Sequence, residues 1–376
     1  MYNYESDLRK EILSVPDMAR FLQKSMRENA KLPFTSEELK KFKNVVITGC
    51  GDSLCAAYAA KEAFEELTGL FIDTPTCLDL ARHYDVRRFG EPGDTLVILV
   101  SFSGKVSRVV EAAMRAKKYG AVTMAVTHFE DSPVAQACDR LLYVVPDEFD
   151  LHRTPGCRTY VASMLSLFHF AIHLGETIGI VLNPESYISE IDANIDLWDA
   201  EMDRLEKEMY ELAKSWKPVP YFEALGAGPE FATAWFAQAK LYEATGDFSR
   251  YENFEDWTHV DYILRRMDSG MFLYVTEGNP SMSRAKEVAS VLTRQNYHYV
   301  VVTDENKENF PESDKVINIP ASKLLWLNPM MQTLVPCMFA ASLADLKGTM
   351  SFCKDMIETY FPFGGSILRN SKIEVF

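Results

Sequence analysis

Short apolar runs alternate with longer helix-forming stretches along the first half of the chain. Residues 96–100 are five consecutive apolar residues, the pattern of a strand buried on both faces of a parallel sheet. Residues 45–48, 70–73 and 121–127 are further strand-like runs, and segments rich in helix formers separate them. Strands that alternate with helices in this way are typical of βαβ units. We therefore predict an α/β domain built on a parallel sheet.

The same order of segments returns in the second half. Three pairs of landmarks mark this repeat at nearly one offset: Gly49 and Gly226 are 177 residues apart, Ser107 and Ser283 are 176 apart, and Thr127 and Thr303 are 176 apart. Such a constant offset indicates an internal duplication. The predicted fold class is α/β, a tandem pair of flavodoxin-like three-layer α/β/α domains with parallel sheets and ligand loops at the carboxyl ends of the strands.

The repeat divides the chain into five segments. We expect an N-terminal helical segment over residues 1–35, a first domain over 36–184, a helical connector over 185–217, a second domain over 218–350 and a C-terminal tail over 351–376.

A polar loop follows the apolar run at 96–100. It contains Ser101, Ser103 and Gly104, and Ser107 lies near the start of the next helix. The first turn of a helix carries unpaired N–H groups and the positive end of the helix dipole, so this loop favours a bound anion such as phosphate. Serine also caps helices, and the alternative that Ser103 is a plain N-cap stays open.

The corresponding loop of the second repeat carries a carboxylate. In Thr276-Glu277-Gly278, Glu277 stands where a phosphate would need hydrogen-bond donors, and like charges repel. We therefore expect one phosphate site per chain, in the first half.

The charge balance and the cysteines narrow the partners and the compartment. The 376-residue chain has a net charge of −15, and nucleic acids and anionic membranes are bound by a surplus of Lys and Arg, so neither partner is expected. No secretory signal opens the chain, and its seven cysteines show no CxxC spacing, which favours free thiols in a cytoplasmic protein. Cys50 and Cys55 are candidates for reactive thiols because one lies in a loop and the other in the helix after it.

Two patterns raise cofactor or membrane hypotheses that we do not favour. Residues 161–182 are apolar, but His169, His173 and Glu176 interrupt them, so a helix buried against the sheet explains them better than a membrane span. The two histidines lack a third metal ligand in sequence. Gly49-x-Gly51 lacks the third glycine of a dinucleotide fingerprint, since Leu54 stands there. No metal, NAD or other cofactor is expected.

Four motifs resemble those of proteins with two SIS (sugar isomerase) domains. The motifs are Gly49-x-Gly51-x-Ser53, Ser101-x-Ser103-Gly104, the pair Glu243 and His259, and Arg369-Asn370-Ser371-Lys372. The family includes the isomerase half of glucosamine-6-phosphate synthase and the fructosamine-6-phosphate (Amadori-product) deglycases. The resemblance implies a phosphorylated sugar or aminosugar bound by the loop residues Gly51, Ser53, Ser101, Ser103, Gly104 and Ser107.

The chain also departs from the family. Val106 stands where the family has threonine, so Ser107 is the candidate to replace that phosphate contact. The sequence has no N-terminal glutaminase domain with a leading cysteine. We therefore do not expect glutamine-dependent synthesis.

Glu243 is the candidate base for moving a proton between adjacent carbons of the sugar. It lies on a mostly apolar helix, three residues after Lys240, which we expect among the substrate-binding residues. The alternative is an ordinary surface pair between the two. His259 follows Glu243 by 16 residues, as the ring-opening histidine does in the family, and Glu255 or Asp256 is available to fix its tautomer. A structural histidine is the alternative.

Three further expectations rest on the resemblance. In relatives the ring-opening histidine often enters from the neighbouring subunit, which implies a homodimer with a shared active site. Lys372 resembles the tail lysine that closes over the open-chain sugar, although a solvated tail lysine is the alternative. Thr159 matches a loop that contacts sugar hydroxyls, with a threonine bonded to its own backbone as the alternative. If Arg158 reached the substrate, it would favour one with a carboxylate.

These expectations lead to three functional hypotheses. The first is a deglycase or isomerase that acts on a phosphorylated ketosamine or aminosugar through an enediol or enaminol. The second is a simple aldose–ketose phosphate isomerase. The third is a sugar-phosphate sensor without turnover, since the fold alone does not define the function. Glu243 together with His259 favours an enzyme, because binding alone needs neither.

Overall fold

The computed structural model describes residues 5–149, 154–305, 307–310, 316–352 and 371–376. The strands among them are β1 (Asn44–Thr48), β2 (Phe71–Asp73), β3 (Thr95–Val100), β4 (Val122–Thr127), β5 (Arg140–Tyr143), β6 (Phe222–Gly226), β7 (Ser249–Asn253), β8 (Gly270–Tyr274), β9 (His298–Thr303) and β10 (Val316–Asn318). The strand-like runs of the sequence analysis correspond to β1–β4.

Helices connect and cover these strands. The α-helices are α1 (Asp7–Leu13), α2 (Val15–Asn29), α3 (Ser36–Leu39), α4 (Asp52–Thr68), α5 (Cys77–Arg82), α6 (Ser107–Lys118), α7 (Pro133–Ala137), α8 (Arg158–Ile178), α9 (Pro184–Trp216), α10 (Glu230–Thr245), α11 (Phe254–His259), α12 (Met282–Arg294), α13 (Asn328–Gln332) and α14 (Leu334–Lys347). Short 3₁₀ helices cover Val86–Phe89, Asp261–Leu264, Lys307–Asn309 and Leu325–Leu327.

The described residues fall into two compact units. The β1–β5 unit contains residues 17–149, 159–192 and 371–376, and the β6–β10 unit contains residues 5–16, 154–158 and 193–352 where these are described.

Each unit contains one five-stranded parallel sheet. The strand orders are β2-β1-β3-β4-β5 and β10-β9-β8-β6-β7. If the strands of each sheet are numbered from its own first strand, both orders read 2-1-3-4-5, the flavodoxin-like arrangement. The predicted fold class is confirmed, with two parallel sheets of the same strand order and flanking helices.

The central strands are hydrophobic because helices cover both faces of each sheet. All six residues of β3 are buried. One face of the sheet packs against α5 and α6, through residues such as Leu80, Val109 and Ala113. In the other unit, Leu273, Val301 and Leu292 share a core with Trp257 of α11. Burial of such side chains contributes roughly 1.5–3 kcal/mol each and fixes the strand ends that carry the polar loops.

Helix α8 is long and apolar enough to cross a membrane, but 78% of its most apolar window is buried inside the fold. Its Phe170 ring lies 6.3 Å from Phe64 of α4. His169 is buried and its Nε2 contacts the side-chain oxygen of Gln23. Burial lowers the pKa of His169 to about 3, so the ring is neutral. The interpretation of this segment as a core helix is confirmed.

Candidate functional site

Strands β1 and β3 end side by side in the middle of their sheet. Asn44 pairs with Thr95 and Thr48 pairs with Leu99, so the loops that follow the two strands leave the same edge. The chain continues from β1 to β2 on one side of this point and from β3 to β4 on the other. In open α/β sheets such a switch point leaves a crevice in which ligands bind.

The loop after β1 is held close to the start of α4. A Cβ atom on Gly49 would lie 2.7 Å from the backbone carbon of Ser53, so a larger residue does not fit there. Gly51 has a φ of +58° and precedes the helix without a side-chain hydrogen bond that caps it. Ser53 lies in the first turn of α4 and is partly exposed. The first turn of α4 is therefore open to an anion.

The loop after β3 contains a buried hydroxyl group. Ser101 is 2% exposed, and its Oγ has no hydrogen-bond partner among the described residues. Its backbone N–H donates to Val126 and its carbonyl accepts from Gly104, so the residue is fixed in place. A buried hydroxyl without a partner costs roughly 1–3 kcal/mol, which a ligand oxygen can recover.

Gly104 is required by the shape of this loop. Its φ is +63°, and a Cβ atom there would lie 2.1 Å from Ser132 Oγ. Ser103 is exposed, and its Oγ accepts a 3.5 Å hydrogen bond from the backbone of Lys105. The N-cap of α6 is Val106, whose side chain cannot accept a hydrogen bond, and Ser107 is the first residue of the helix. The alternative that Ser103 caps α6 is therefore wrong.

The C-terminal residues 371–376 contact the same helix. Arg108 donates to Ser371 Oγ at 2.7 Å, and the backbone of Glu374 donates to the buried carboxylate of Glu111 at 2.9 Å. Burial opposes the charged form of Glu111, but hydrogen bonds from Arg82, Glu374 and Arg108 outweigh it and lower its pKa. Tail and α6 are thus joined by a charged network.

Lys372 lies in this docked segment, but its side chain is 83% exposed and pairs with Glu374 at 3.0 Å. The preceding Arg369 and Asn370 of the predicted motif lie outside the described residues. The catalytic role of Lys372 stays a prediction.

Helix α10 carries the predicted base. Lys240 is 1% exposed, its Nζ lies 2.6 Å from Glu243 Oε2, and its ammonium group lies 4.7 Å from the centre of the Phe236 ring. The alternative of an ordinary surface pair is therefore wrong, because the lysine is buried. The Glu243 side chain keeps 32% of its surface exposed, so solvent or a ligand can reach it.

His259 is the last residue of α11. Its side chain is 67% exposed, and its Nε2 lies 2.8 Å from Glu255 Oε1, one turn earlier on the helix. Arg284 also pairs with Glu255, at 2.8 Å. Of the two predicted partners, Glu255 is the one that the structure shows. This pair orients the imidazole toward solvent.

Thr159 and Arg158 differ from the expectation. They are the first residues of α8 rather than part of a loop, and the Thr159 carbonyl accepts from Ser163 Oγ at 2.8 Å. The Arg158 guanidinium is buried and donates to Ser14 Oγ at 2.8 Å. The suggestion that Arg158 recognises a substrate carboxylate is not supported, since the group is bound internally. Thr159 stays a candidate because it is partly exposed.

In the second repeat a buried glutamate lies at the position that corresponds to Ser53 of the first repeat. Glu230 begins α10 and lies 177 residues after Ser53, the same offset as between Gly49 and Gly226. Its buried carboxylate accepts from the backbone and hydroxyl of Thr276 at 2.9 and 2.6 Å. It also accepts from Asn279 at 2.8 Å and from Gln332 at 3.0 Å.

This arrangement corrects the reason given for a single phosphate site. The donors of the second loop exist, but Glu230 already occupies them, whereas Glu277 is partnered through its backbone by Asp304 at 2.8 Å. Sequence reasoning missed Glu230, although an acidic residue in the first helical turn after Gly226-x-Gly228 was the available signal.

Comparisons with known proteins indicate the family that this chain resembles. Residues 38–174 match the SIS domain family. The glutamine–fructose-6-phosphate aminotransferase (isomerizing) of Corynebacterium diphtheriae is 22% identical over 364 residues, which cover 92% of this chain and 56% of that protein. The chain spans about half the length of the curated relatives it matches.

Solved structures show the same fold. The C-terminal domain of glucosamine-fructose-6-phosphate aminotransferase from Francisella tularensis superposes with a TM-score of 0.82 at 16% identity, covering 93% of this chain and 98% of that one. Tagatose-6-phosphate ketose/aldose isomerase from Escherichia coli gives 0.70 at 15% identity, covering 94% and 97%. Residues 38–174 thus match the SIS domain family, and the two-sheet fold of the chain is similar to that of the C-terminal domain of the Francisella tularensis aminotransferase.

Proposed function

We propose that the protein is a sugar-phosphate isomerase that acts on a phosphorylated ketosamine or aminosugar of the fructosamine 6-phosphate type and releases a sugar phosphate and an amine. The observation that carries the proposal is the buried Ser101 hydroxyl, which has no partner within the described residues and lies in the loop before α6. A phosphate oxygen there accepts from Ser101, Ser103 and the first turns of α4 and α6.

Glu243 is proposed as the base that moves the proton. It removes a proton from the carbon that bears the nitrogen, the electron pair forms a carbon–carbon double bond, and the neighbouring carbonyl oxygen takes up a proton to give an enaminol. Return of the proton to the second carbon leaves an imine, which water hydrolyses to an aldose phosphate and a free amine. General base catalysis of this kind contributes about 10²–10⁴-fold.

The remaining roles complete the proposal. Lys240 fixes the position of the Glu243 carboxylate, since their side chains lie 2.6 Å apart. His259, fixed by Glu255, opens the sugar ring, and Lys372 approaches the carbonyl oxygen from the tail. Gly51, Ser53, Gly104, Ser107 and Thr159 complete the substrate contacts. No metal or cofactor is required for a proton transfer.

The proposal includes a homodimer with a shared active site in the cytoplasm. His259 is exposed, and Val260, Ile263 and Leu264 next to it are apolar and more than half exposed. An exposed apolar cluster beside a proposed catalytic residue supports contact with a second subunit.

A second candidate is simple aldose–ketose isomerisation. The name of the tagatose-6-phosphate isomerase with the same fold favours it, and the same base and phosphate loop serve that reaction. The two candidates differ only in whether the substrate carries nitrogen.

A screen of purified protein against fructosamine 6-phosphates, aminosugar phosphates and plain ketose phosphates tests the proposal. Released amine and sugar phosphate are measured separately. Amine release supports the ketosamine reaction, and interconversion of plain ketose phosphates without it supports the second candidate. Binding of several phosphates with no turnover overturns both and indicates a sensor.

A further inference from the structure

The loop between β1 and α4 holds an exposed thiol. Cys50 stands between Gly49 and Gly51, three residues before Ser53 of the candidate phosphate site. Glycine flanks it on both sides, so neither chain neighbour has a side chain that covers it. A solute that reaches the phosphate loop also reaches this sulfur.

A second thiol lies next to it. Cys77 is the first residue of α5, is buried, and its Sγ lies 3.4 Å from the hydroxyl of Thr48 at the end of β1. Thr48 is two residues before Cys50, and the thiols of Cys50 and Cys77 shift each other's pKa through a side-chain hydrogen bond. The pair therefore consists of one exposed thiol in the loop after β1 and one buried thiol at the start of α5.

Charge favours a thiolate on the exposed member. The hydrogen bond from Cys77 lowers the pKa of Cys50, burial opposes the shift, and the nearby Arg108 guanidinium adds to it. The same hydrogen bond and burial raise the pKa of Cys77 well above its ordinary value. The Cys50 sulfur is thus suited to attack an oxidant, and Cys77 keeps its proton until it attacks the oxidised sulfur, when that proton leaves with the departing hydroxide as water.

We propose that Cys50 and Cys77 form a reversible disulfide that controls the phosphate loop, with a peroxide as the oxidant. The Cys50 thiolate attacks the peroxide, its O–O bond breaks, and a sulfenic acid and one water form. The Cys77 sulfur then displaces hydroxide from that sulfenic acid, which closes the S–S bond and releases a second water. Each thiol loses one hydrogen, and hydrogen peroxide is reduced to two waters.

The other described cysteines serve as internal controls. Cys157 and Cys337 lie close together, with Sγ atoms 2.8 Å apart, but both are buried and burial raises the pKa of Cys157. Burial raises the pKa of Cys138 to about 12. Cys55 is buried in α4. Reactivity toward peroxide follows thiolate character and access, so Cys50 is expected to react first.

The consequence for the loop rests on the proposed function. A bond from Cys50 to the anchored Cys77 holds residues 49–53 against the start of α5 and so removes their freedom to close on a phosphate. We expect the oxidised protein to bind glucose 6-phosphate at least about tenfold more weakly than the reduced protein. Dithiothreitol is expected to restore the affinity.

The test uses hydrogen peroxide on the full chain, with intact mass and peptide mapping as readouts. We expect a loss of about 2 Da, a peptide that links Cys50 to Cys77, and reversal by dithiothreitol. Cys77→Ser should give Cys50 sulfenic or sulfinic acid instead, and Cys157→Ser should behave as wild type. Wild-type Cys50 that stays reduced, or that oxidises without a link to Cys77, overturns the proposal.

Affinity is measured on the same samples with glucose 6-phosphate. If the protein with the Cys50–Cys77 disulfide binds glucose 6-phosphate as tightly as the reduced protein, the disulfide does not control the phosphate loop. If the link forms but the reduced protein does not bind the probe, the disulfide stands and the proposed function fails. If the reduced protein binds and no link forms, the proposed function stands and the disulfide fails.

Discussion

The carboxylate of Glu230 accepts hydrogen bonds from both the backbone N–H and the hydroxyl of Thr276, at 2.9 and 2.6 Å. In the β6–β10 unit this internal anion takes the donors of the loop after β8. In the β1–β5 unit the matching helix begins with Asp52 and Ser53, and the loop after β3 keeps the buried Ser101 hydroxyl without a partner in the described chain. In the second repeat the Glu230 side chain occupies the position of an anion, whereas in the first repeat the Ser101 hydroxyl is available to a ligand.

Glu230 gives the protein a specific pH dependence. Burial raises its pKa from 4.5 to about 7, although four donated hydrogen bonds favour the charged form. Between these values the unfolded chain has released a proton that the folded chain keeps, so the contribution of Glu230 to stability is largest below pH 4.5 and is lost as the pH rises to about 7. We expect this contribution to the free energy of unfolding to drop by about 1–3 kcal/mol over this window.

Urea unfolding of wild type and Glu230→Gln at a series of pH values measures this effect. The variant has no titrating group at this position, so its curve should lack the drop after the shared contributions are subtracted. Parallel curves for the two proteins would show that Glu230 is ionised throughout.

Ser101→Ala should separate binding from stability. The Ser101 Oγ is buried without a partner among the residues described, so its removal should leave the free energy of unfolding unchanged or slightly higher. Binding of a sugar phosphate should weaken about 10- to 100-fold, the value of one charge-assisted hydrogen bond, and Ser103→Ala should add to the loss. Calorimetric titration with glucose 6-phosphate and a thermal melt measure both.

Ser166→Ala is the matched control, since this buried hydroxyl on α8 donates to Ala162 at 2.7 Å. It should reduce stability and leave affinity unchanged. If a folded Ser101→Ala protein binds glucose 6-phosphate with wild-type affinity, the phosphate does not bind at this loop.

Gly104→Ala should be far more damaging than Gly93→Ala. Both glycines have a positive φ, but a Cβ on Gly104 would lie 2.1 Å from Ser132 Oγ, whereas a Cβ on Gly93 meets nothing within 4 Å. Both substitutions should lower the free energy of unfolding by about 1 kcal/mol through backbone strain. The contact of the new Cβ with Ser132 should lower it by about 2 kcal/mol more in Gly104→Ala alone. Urea unfolding of the two variants compares them directly, and equal losses would mean that Ser132 moves aside without cost.

The sequence predicts most of the fold and the phosphate loops because the signals are local. Residues 96–100 indicate a buried strand by themselves, and the serine and glycine residues after them indicate a turn at a helix start. The Glu230 network was missed because its partners Thr276 and Gln332 are 46 and 102 residues away. Only the pairing of strands and packing of helices brings them together.

The same reason explains why the structure excludes two alternatives that the sequence left open. Serine is a preferred N-cap residue, but the backbone turns at Gly104 after Ser103, and Val106 is the N-cap of α6. Lys240 and Glu243 have the spacing of a surface pair, yet α10 packs against α14 and β7, so the lysine is buried. Burial of a charged residue depends on tertiary packing, which the spacing along one helix does not contain.

Subunit complementation tests the proposed shared site. If His259 acts across an interface, inactive Glu243→Gln and His259→Ala proteins should form mixed dimers with part of the wild-type turnover, because each mixed dimer retains one intact site. Activity after verified subunit exchange is the measurement. If turnover does not recover although the subunits have exchanged, Glu243 and His259 of one active site belong to the same chain.

Glu243→Gln tests the proposed chemistry. The substitution keeps the size of the side chain and its contact with Lys240, which lies 2.6 Å away, but removes the basic oxygen. Turnover of a fructosamine 6-phosphate should fall about 10²–10⁴-fold with little change in ground-state binding. Glu252→Gln, a change on β7 that leaves α10 intact, is the control and should retain activity. In wild type, deuterium on the carbon that donates the proton should slow turnover if that step limits the rate. Near wild-type turnover by Glu243→Gln would make this carboxylate structural, and the base would have to be another residue.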